Sequence, residues 1–440
     1  MPSDLAAVVM AAGLGTRLRS ATPKHLHPLL GRRMVDWALE ALRPLRADPL
    51  VVVASPEARE AFPAETVAVQ ENPRGTGDAV VAARAALEGY EGDVLVVPGD
   101  SPLVTTELLR GLVDAHRRER PSVTVMSYEP PAQPPYGRIM RDEGGRLRAI
   151  VEATDATPEQ LAIRELNASF YVFAAADLWW ALEQLDAANA QGELYLTDTI
   201  GHLVDAGRPA AVYRSADVRA PGGVNTRAEL AAAAATLRDR VNAAHMDAGA
   251  GIVDPQTTWI DAGVELGPDC LIHPFTVLRG STRVAARAEV GPHVVAVDAA
   301  VGAGAIVGPF CYLRPGTVLE AGVKAGTFVE IKNSHVGGRA KVPHLSYIGD
   351  ADIGEGTNIG AGGITVNFPH RPGRPKGRTT IGRNVRTGVQ NAFVAPVEIG
   401  DDAWIAAGSV ITENVPPGSL AGFPPKQVTR EGYVYDQRDD

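Results

Sequence analysis

The residues best suited to chemistry in this 440-residue chain lie in separated groups. Gly13-Leu14-Gly15-Thr16-Arg17 follows the apolar run LAAVVMAA and is trailed by Pro23-Lys24. Glycines after a strand let backbone N–H groups approach a phosphate without a Cβ clash, and Arg17 and Lys24 would offset its charge. The glycine spacing is neither that of a P-loop nor that of the dinucleotide fingerprint, and alone it equally describes a tight strand-to-helix turn. Farther on, Val97-Pro98-Gly99-Asp100 sets an acid just past a second apolar run, and Asn225 could supply another oxygen. Mg²⁺ prefers such oxygens and takes only one or two from protein, phosphates and water completing its shell. In the C-terminal half, Arg314 and Lys332 lie 18 positions apart, with His344, Tyr347 and Asn358 close behind.

The elements that must position the first groups alternate. LAAVVMAAG, PLVVVA, DVLVVPGD, SVTVMSY and SFYVFAA read as strands, and MVDWALEALRPL, TGDAVVAARAALEGY and TELLRGLVDAHRRE as helices. Such alternation predicts an α/β domain over residues 1–225 with a mainly parallel sheet, whose ligands bind beyond the carboxyl ends of the strands. Residues 226–248 are Ala-rich without Gly or Pro and predict a linking helix.

Residues 264–411 carry an apolar residue about every six positions, usually followed by a small one. Leu266, Ile272, Leu278, Val284 and Val290 open the run; Val301, Val307, Leu313, Leu319, Ala325 and Ile331 continue it; Ile399, Ile405 and Ile411 close it. A period of six fits neither a helix nor an alternating strand. It fits a three-sided solenoid that spends one hexapeptide on each side and stacks its coils into a continuous core. Residues 18 apart then fall over one another, so Arg314 and Lys332 predict a cationic pair suited to a phosphate. Tyr347 and Asn358 could hydrogen-bond a sugar, and His344 could act as a base, since an unperturbed imidazole changes charge near neutral pH.

Composition narrows the classes. The length calls for more than one core. Two cysteines, Cys270 and Cys311, cannot make a disulfide framework and are expected reduced and buried in a cytoplasmic protein. The first residues lack the basic start of a signal peptide, and no stretch is long enough to insert into a membrane. A net charge of −10 argues against nucleic acid as a partner.

Taken together, AAGLGTRL, GTGDA, GDSPL, YGRI, IVEATDAT, QGELYLTD, GVNTR and the hexapeptide run resemble the sugar nucleotidyltransferases over nearly the whole chain. The closest resemblance is to the bifunctional N-acetylglucosamine-1-phosphate uridylyltransferase/glucosamine-1-phosphate acetyltransferase family. That resemblance implies a Rossmann-like nucleotidyltransferase domain over 1–225 and, over 249–440, a left-handed parallel β-helix with a C-terminal tail. It implies that Met10, Ala11, Ala12, Gly13 and Lys24 hold the nucleotide, with Gln70, Gly75 and Thr76 at its uracil end. Pro98 and Gly99 line the same site, Pro98 standing where an aromatic is common. Gly137, Glu152 and Asn167 match sugar contacts, and Asp100 and Asn225 the Mg²⁺ pair. In the solenoid it makes His344 the base for acetyl transfer and Arg314, Lys332, Tyr347 and Asn358 the sugar-phosphate contacts. Ala361, Asn367, Phe368, Val389 and Ala407 match positions lining acetyl-CoA, and Lys376 a basic residue that a neighbouring copy contributes. A shared site implies a homotrimer.

Besides Pro98, two positions of the solenoid depart from the pattern: Phe368 replaces a tyrosine and Val389 a serine, and the segment 369–377 is long and Pro-rich. Losing a hydroxyl donor near a thioester costs about 1 kcal/mol. The expectation is an Mg²⁺-dependent enzyme that acetylates glucosamine 1-phosphate with acetyl-CoA and then joins the product to UTP, releasing pyrophosphate. Lys24 and Arg17 would stabilise the charge on the transferring phosphate. The alternatives are a single-activity sugar-1-phosphate nucleotidyltransferase with an inert solenoid, and an assembly subunit without turnover.

Overall fold

The computed structural model describes residues 4–13, 15–219, 221–369, 373, 375–423 and 427–435. They form two compact units, Met1–Thr236 and Leu237–Asp440, which divide within the Arg227–Asp247 helix. Leu14, within the Gly-rich turn, and the last residues of the C-terminal tail lie outside the described residues.

The N-terminal unit is built on strands β1 (Leu5–Ala11), β2 (Leu50–Ala54), β3 (Thr66–Val69), β4 (Asp93–Pro98) and β5 (Val123–Tyr128). A hairpin, β6 (Arg138–Arg141) and β7 (Leu147–Val151), precedes β8 (Leu166–Ala174) and β9 (Ala210–Arg214). The sheet order is β9-β5-β8-β4-β1-β2-β3, with the hairpin joined to β8. Strand β1 runs parallel to both β2 and β4, whereas β8 lies antiparallel between β4 and β5. The small and β-branched residues of β1 do not alternate with polar ones because both faces are covered. Ala7 and Val9 pack with Val35, Leu39 and Leu109 on one side, and Ala6 and Val8 with Val80, Leu178 and Ile200 on the other.

The helix expected over residues 76–90 is shorter than its pattern. It runs Thr76–Ala82 and tightens into a 3-10 turn at Arg84–Leu87, which buries Leu87. The sequence reading names neither β3 nor β9. Both are edge strands with partly exposed residues, so neither carries the apolar signal of the central strands.

The C-terminal unit is a left-handed parallel β-helix. Short parallel strands stack coil on coil, and Leu278, Ala296, Leu313, Ile331 and Ile348 pair in successive register as one fully buried column. Leu266, in an outer coil, is only partly buried. One segment leaves the coils: Tyr347 pairs with Ile364 in ordinary register, but Ala351 pairs with Thr379. The neck of this excursion is closed by Gly377 N–H donating to the Asn367 carbonyl at 3.0 Å. At its foot Arg378 grips the Asp352 carboxylate. Within it, His370, Arg371, Pro372 and Arg374 lie outside the described residues. Cys270 and Cys311 are free and buried.

Candidate active sites

The carboxyl end of β4 delivers Asp100 beside β1, since Gly99 N–H donates to the Met10 carbonyl at 2.9 Å. A Cβ on Gly99 would come within 2.9 Å of that oxygen, so only glycine lets the two strand ends meet. Asn225 arrives from far along the chain and is fixed by a capping box. Its N–H and that of Thr226 both donate to Glu229 Oε2, at 2.7 and 2.9 Å, while Glu229 N–H donates to Thr226 Oγ1 at 3.2 Å. Val224 N–H donates to the Asp100 carbonyl at 2.8 Å, which draws the two ligand candidates together.

Their oxygens meet at Lys24, which is buried. Its Nζ donates to Asp100 Oδ2 and, at 2.7 Å, to Asn225 Oδ1. Arg17 Nη2 donates to the same Asn225 oxygen at 2.9 Å. Thus four of the expected residues converge on one point. Burial pushes the Asp100 carboxyl up, but the Lys24 charge, His25 and the Lys24 hydrogen bond outweigh it and hold it below the usual range. His25 lies behind this cluster, its ring against the positions where Gly13 and Gly99 lack a Cβ. Burial, with the Lys24 charge, pushes its pKa down to about 4 despite Asp100, so the imidazole is neutral.

At the carboxyl end of β3, the Gln70 N–H donates to the Ala54 carbonyl at 3.0 Å. Gly75 takes φ +113°, and a Cβ there would lie 2.5 Å from the Leu194 carbonyl oxygen. The Thr76 hydroxyl accepts from Leu196 N–H at 3.0 Å, so it pins the 194–196 strap while keeping its own proton to donate. Gly137, Glu152 and Asn167 also come together. Asn167 N–H donates to the Gly137 carbonyl at 2.8 Å, and a Cβ on Gly137 would sit 3.4 Å from the Glu152 carboxylate. Glu152 accepts from the Thr197 hydroxyl at 3.0 Å, and burial raises its pKa. The Asn167 amide is turned inward, donating to Tyr171 Oη at 2.7 Å and accepting from Ser169 N–H at 3.0 Å.

In the β-helix, Leu313 pairs with Ile331, which sets Arg314 over Lys332 as the spacing predicts. The pair is not free cation, however. Arg314 is matched by Glu330 at 2.8 Å and Lys332 by Asp350 at 3.2 Å. Buried Asp350 is a hub: it also accepts from Asn333 Nδ2 at 2.6 Å and from Asn367 Nδ2. Asn367 Nδ2 reaches Tyr347 Oη at 3.4 Å as well. Lys376, which the resemblance assigns to a neighbouring copy, lies beside Lys332 of its own chain. That contact and the Lys332 charge hold its ammonium below the usual range.

His344 ends the strand Lys341–His344 and is exposed, its ring without a hydrogen bond among the described residues. One edge of the prism carries it onward. Gly362 N–H donates to the His344 carbonyl at 3.4 Å, Gln390 N–H to that of Ala361 at 2.7 Å, and Gly408 N–H to that of Val389 at 2.8 Å. His344, Ala361, Val389 and Ala407 therefore line up at one-coil steps, with Val389 half exposed. The coils before them carry a stack of rings, Phe275, His293, Phe310 and Phe328, with centroids 4.8 to 5.2 Å apart. Asn358 bridges Lys341 and Arg386 in adjacent coils, and Phe368 is 71% exposed.

Comparison with known proteins decides the family. The pattern of the MobA-like NTP transferase domain matches residues 7–253. The bifunctional protein GlmU of Mycobacterium tuberculosis is 46% identical over 465 residues, covering 99% of this chain and 93% of its own. That of Streptomyces avermitilis is 46% identical over 459 residues, covering 98% and 94%. The chain belongs to the GlmU family.

The structure also brings into the sites residues that the motifs do not include. Asp350 lies 18 positions after Lys332, the same spacing that pairs Lys332 with Arg314, so the repeat itself carries the signal for it. Tyr136, whose hydroxyl donates to the Gly223 carbonyl at 3.1 Å beside Asn225, has no such signal, because only the fold brings the two segments together. Among the described residues of this GlmU chain, no helix is long and apolar enough to cross a membrane. Nor do three or more His, Cys, Asp and Glu side chains gather there as a metal site.

Proposed function

We propose that the residues converging on Lys24 transfer a nucleotide and that the His344 edge transfers an acetyl group. The chain is a bifunctional enzyme of UDP-N-acetylglucosamine synthesis. Its C-terminal unit acetylates glucosamine 1-phosphate with acetyl-CoA. Its N-terminal unit then transfers UMP from UTP to N-acetylglucosamine 1-phosphate, releasing pyrophosphate. The observation that carries the reading is the meeting of Lys24, Asp100, Asn225 and Arg17 at one point.

Two oxygens from distant segments already hold an ammonium there, and Gly223 keeps the Asp100 carboxylate uncrowded, since a Cβ there would press on its Oδ1 at 3.3 Å. That donor set fits Mg²⁺, which takes one carboxylate and few other protein ligands. Bound there, Mg²⁺ would neutralise phosphate charge. Asp100 and Asn225 would hold it, leaving Lys24 and Arg17 to turn toward the α-phosphate and its leaving pyrophosphate. Met10, Ala11, Ala12, Gly13, Pro98 and Gly99 form the floor. Gln70, Gly75 and Thr76 take the base, and Gly137, Glu152 and Asn167 the sugar.

In the β-helix, Arg314 and Lys332 receive the sugar phosphate, with Lys376 beside them and Tyr347 and Asn358 on the sugar. His344 takes a proton from the amine as it attacks the thioester, and the coenzyme thiol leaves. The acyl donor lies along Ala361, Val389 and Ala407, near Asn367 and Phe368. The working limits are residues 1–225 for the first activity, 226–248 for the link and 249–440 for the second. The copies join as a homotrimer through the β-helix and work in the cytoplasm; the exposed ring stack and the free thiols support these two points.

The test follows free thiol from acetyl-CoA with glucosamine 1-phosphate in wild type and His344→Ala. Thiol release lost only in the variant is expected. No release in the wild type would reduce the β-helix to a scaffold.

A further inference from the structure

We propose that Asp78 sets the base preference of the N-terminal site by locking the Gln70 amide with its oxygen facing the nucleotide. The inference rests on the reading above that Gln70 lies at the base end. Gln70 and Asp78 are both buried, 5% and 8% exposed. Asp78 sits in the first turn of the Thr76–Ala82 helix, and each of its oxygens has a partner. Oδ2 accepts from Gln70 Nε2 at 2.8 Å, and Oδ1 accepts from Arg74 Nη2 at 2.7 Å and Nε at 3.2 Å. Gln70 Nε2 also donates to the Gly75 carbonyl at 3.2 Å.

The amide orientation follows from chemistry. A peptide carbonyl only accepts, and an ionised carboxylate only accepts, so the Gln70 atom between them must be the NH₂ group. Asp78 is ionised: burial pushes its carboxyl up, but the Gln70 and Arg74 hydrogen bonds more than offset that and hold it below the usual range. The Gln70 oxygen is thereby turned away from Asp78. It has no partner among the described residues and is not among their sealed polar atoms, which leaves it as the open end of the group.

A fixed acceptor selects for a ring N–H. Uracil presents one at N3, whereas cytosine presents a lone pair there, so cytosine would set acceptor against acceptor. Buried polar sites left unpaired in this way reject the wrong ligand far more strongly than apolar pockets do. Asp78 never touches the base. It is a positioning residue that acts through Gln70.

The experiment measures pyrophosphate release by the full-length enzyme with Mg²⁺, N-acetylglucosamine 1-phosphate and either UTP or CTP. Wild type should prefer UTP in kcat/KM by about a hundredfold or more. In Asp78→Ala the amide is free to turn. The KM for UTP should rise about tenfold with kcat little changed, and the UTP/CTP ratio should fall by at least about tenfold. Asp78→Asn still offers an acceptor to Nε2 while exposed Arg74 swings away, and should restore most of the ratio. In a Gln70→Ala background, Asp78→Ala should leave the ratio unmoved, which also reads the coupling if the single variant folds poorly. An Asp78→Ala enzyme that loses UTP and CTP turnover equally, keeping the ratio, overturns the proposal. So does a wild type that uses both nucleotides alike. A wild type inactive with UTP overturns instead the reading of the site on which it rests.

Discussion

Lys24 Nζ and Asn225 Oδ1 stand 2.7 Å apart although 201 positions separate them in the chain. The contact joins the short helical turn that follows the Gly-rich segment to the stretch just before the long helix, so the site closes only when the whole N-terminal unit has folded. Asp100 completes it from the middle of that unit. The proposed catalytic point, built from both ends and the middle of one unit, is a sensitive reporter of that unit's integrity.

Substitution at this point should separate the two activities. Asp100→Ala is expected to lower pyrophosphate release by at least about a hundredfold, because a preorganised charge on the reacting phosphate is lost. Asn225→Ala should raise the Mg²⁺ concentration needed for half-maximal rate. Thiol release from acetyl-CoA should be unchanged in both. Loss of both activities in a folded Asp100→Ala protein would rule out independent sites.

Gly75→Ala forces a side chain onto φ +113° with its Cβ 2.5 Å from a backbone oxygen, so the strap at Leu194 must move. The strain costs more than about 1 kcal/mol. The KM for UTP should rise and the melting temperature of the N-terminal unit should fall, whereas acetyl transfer should persist. A variant with wild-type KM would show that the strap yields freely.

Acid should act on the β-helix through Asp350. Burial pushes its carboxyl up, but donors from Asn333, Asn367 and Lys332 prevail and hold it below its ordinary 3.8. A depressed carboxyl stabilises the fold fully above its unfolded value, and that stabilisation fades as pH falls through the folded one. Asp350→Asn should therefore cost about 1–2 kcal/mol at pH 7 and progressively less as the pH falls below the ordinary carboxyl value. Equilibrium unfolding as a function of pH reads the difference; an equal loss throughout would assign the effect to packing.

Cys311 should resist thiol reagents in the native protein. Burial pushes its pKa up to about 11, and its thiol donates to the Gly326 carbonyl. Modification should track unfolding, since the thiolate is the reactive form. Rapid labelling of folded protein would contradict the burial.

Much of this was legible in the sequence because it repeats or sits at strand ends. The six-residue period specifies the buried column Leu278, Leu313, Ile331 and Ile348, since each coil must present an apolar residue to the same axis. Asp100 could be read because an acid directly after an apolar strand projects beyond the sheet. The antiparallel placement of β8 could not, because its apolar run has the same composition whichever way it points. Nor could the pairing of Glu330 with Arg314, for composition shows a charge but not its partner.

The edge that carries His344, Ala361, Val389 and Ala407 advances one coil at a time, by about 4.8 Å per step. Distance along it comes in whole increments, like marks on a graduated rule, and no rotamer can change the interval. An acyl donor lying there is gauged by the number of coils it spans. Removing one coil would shorten the gauge by one mark and leave the interval between the remaining marks unchanged.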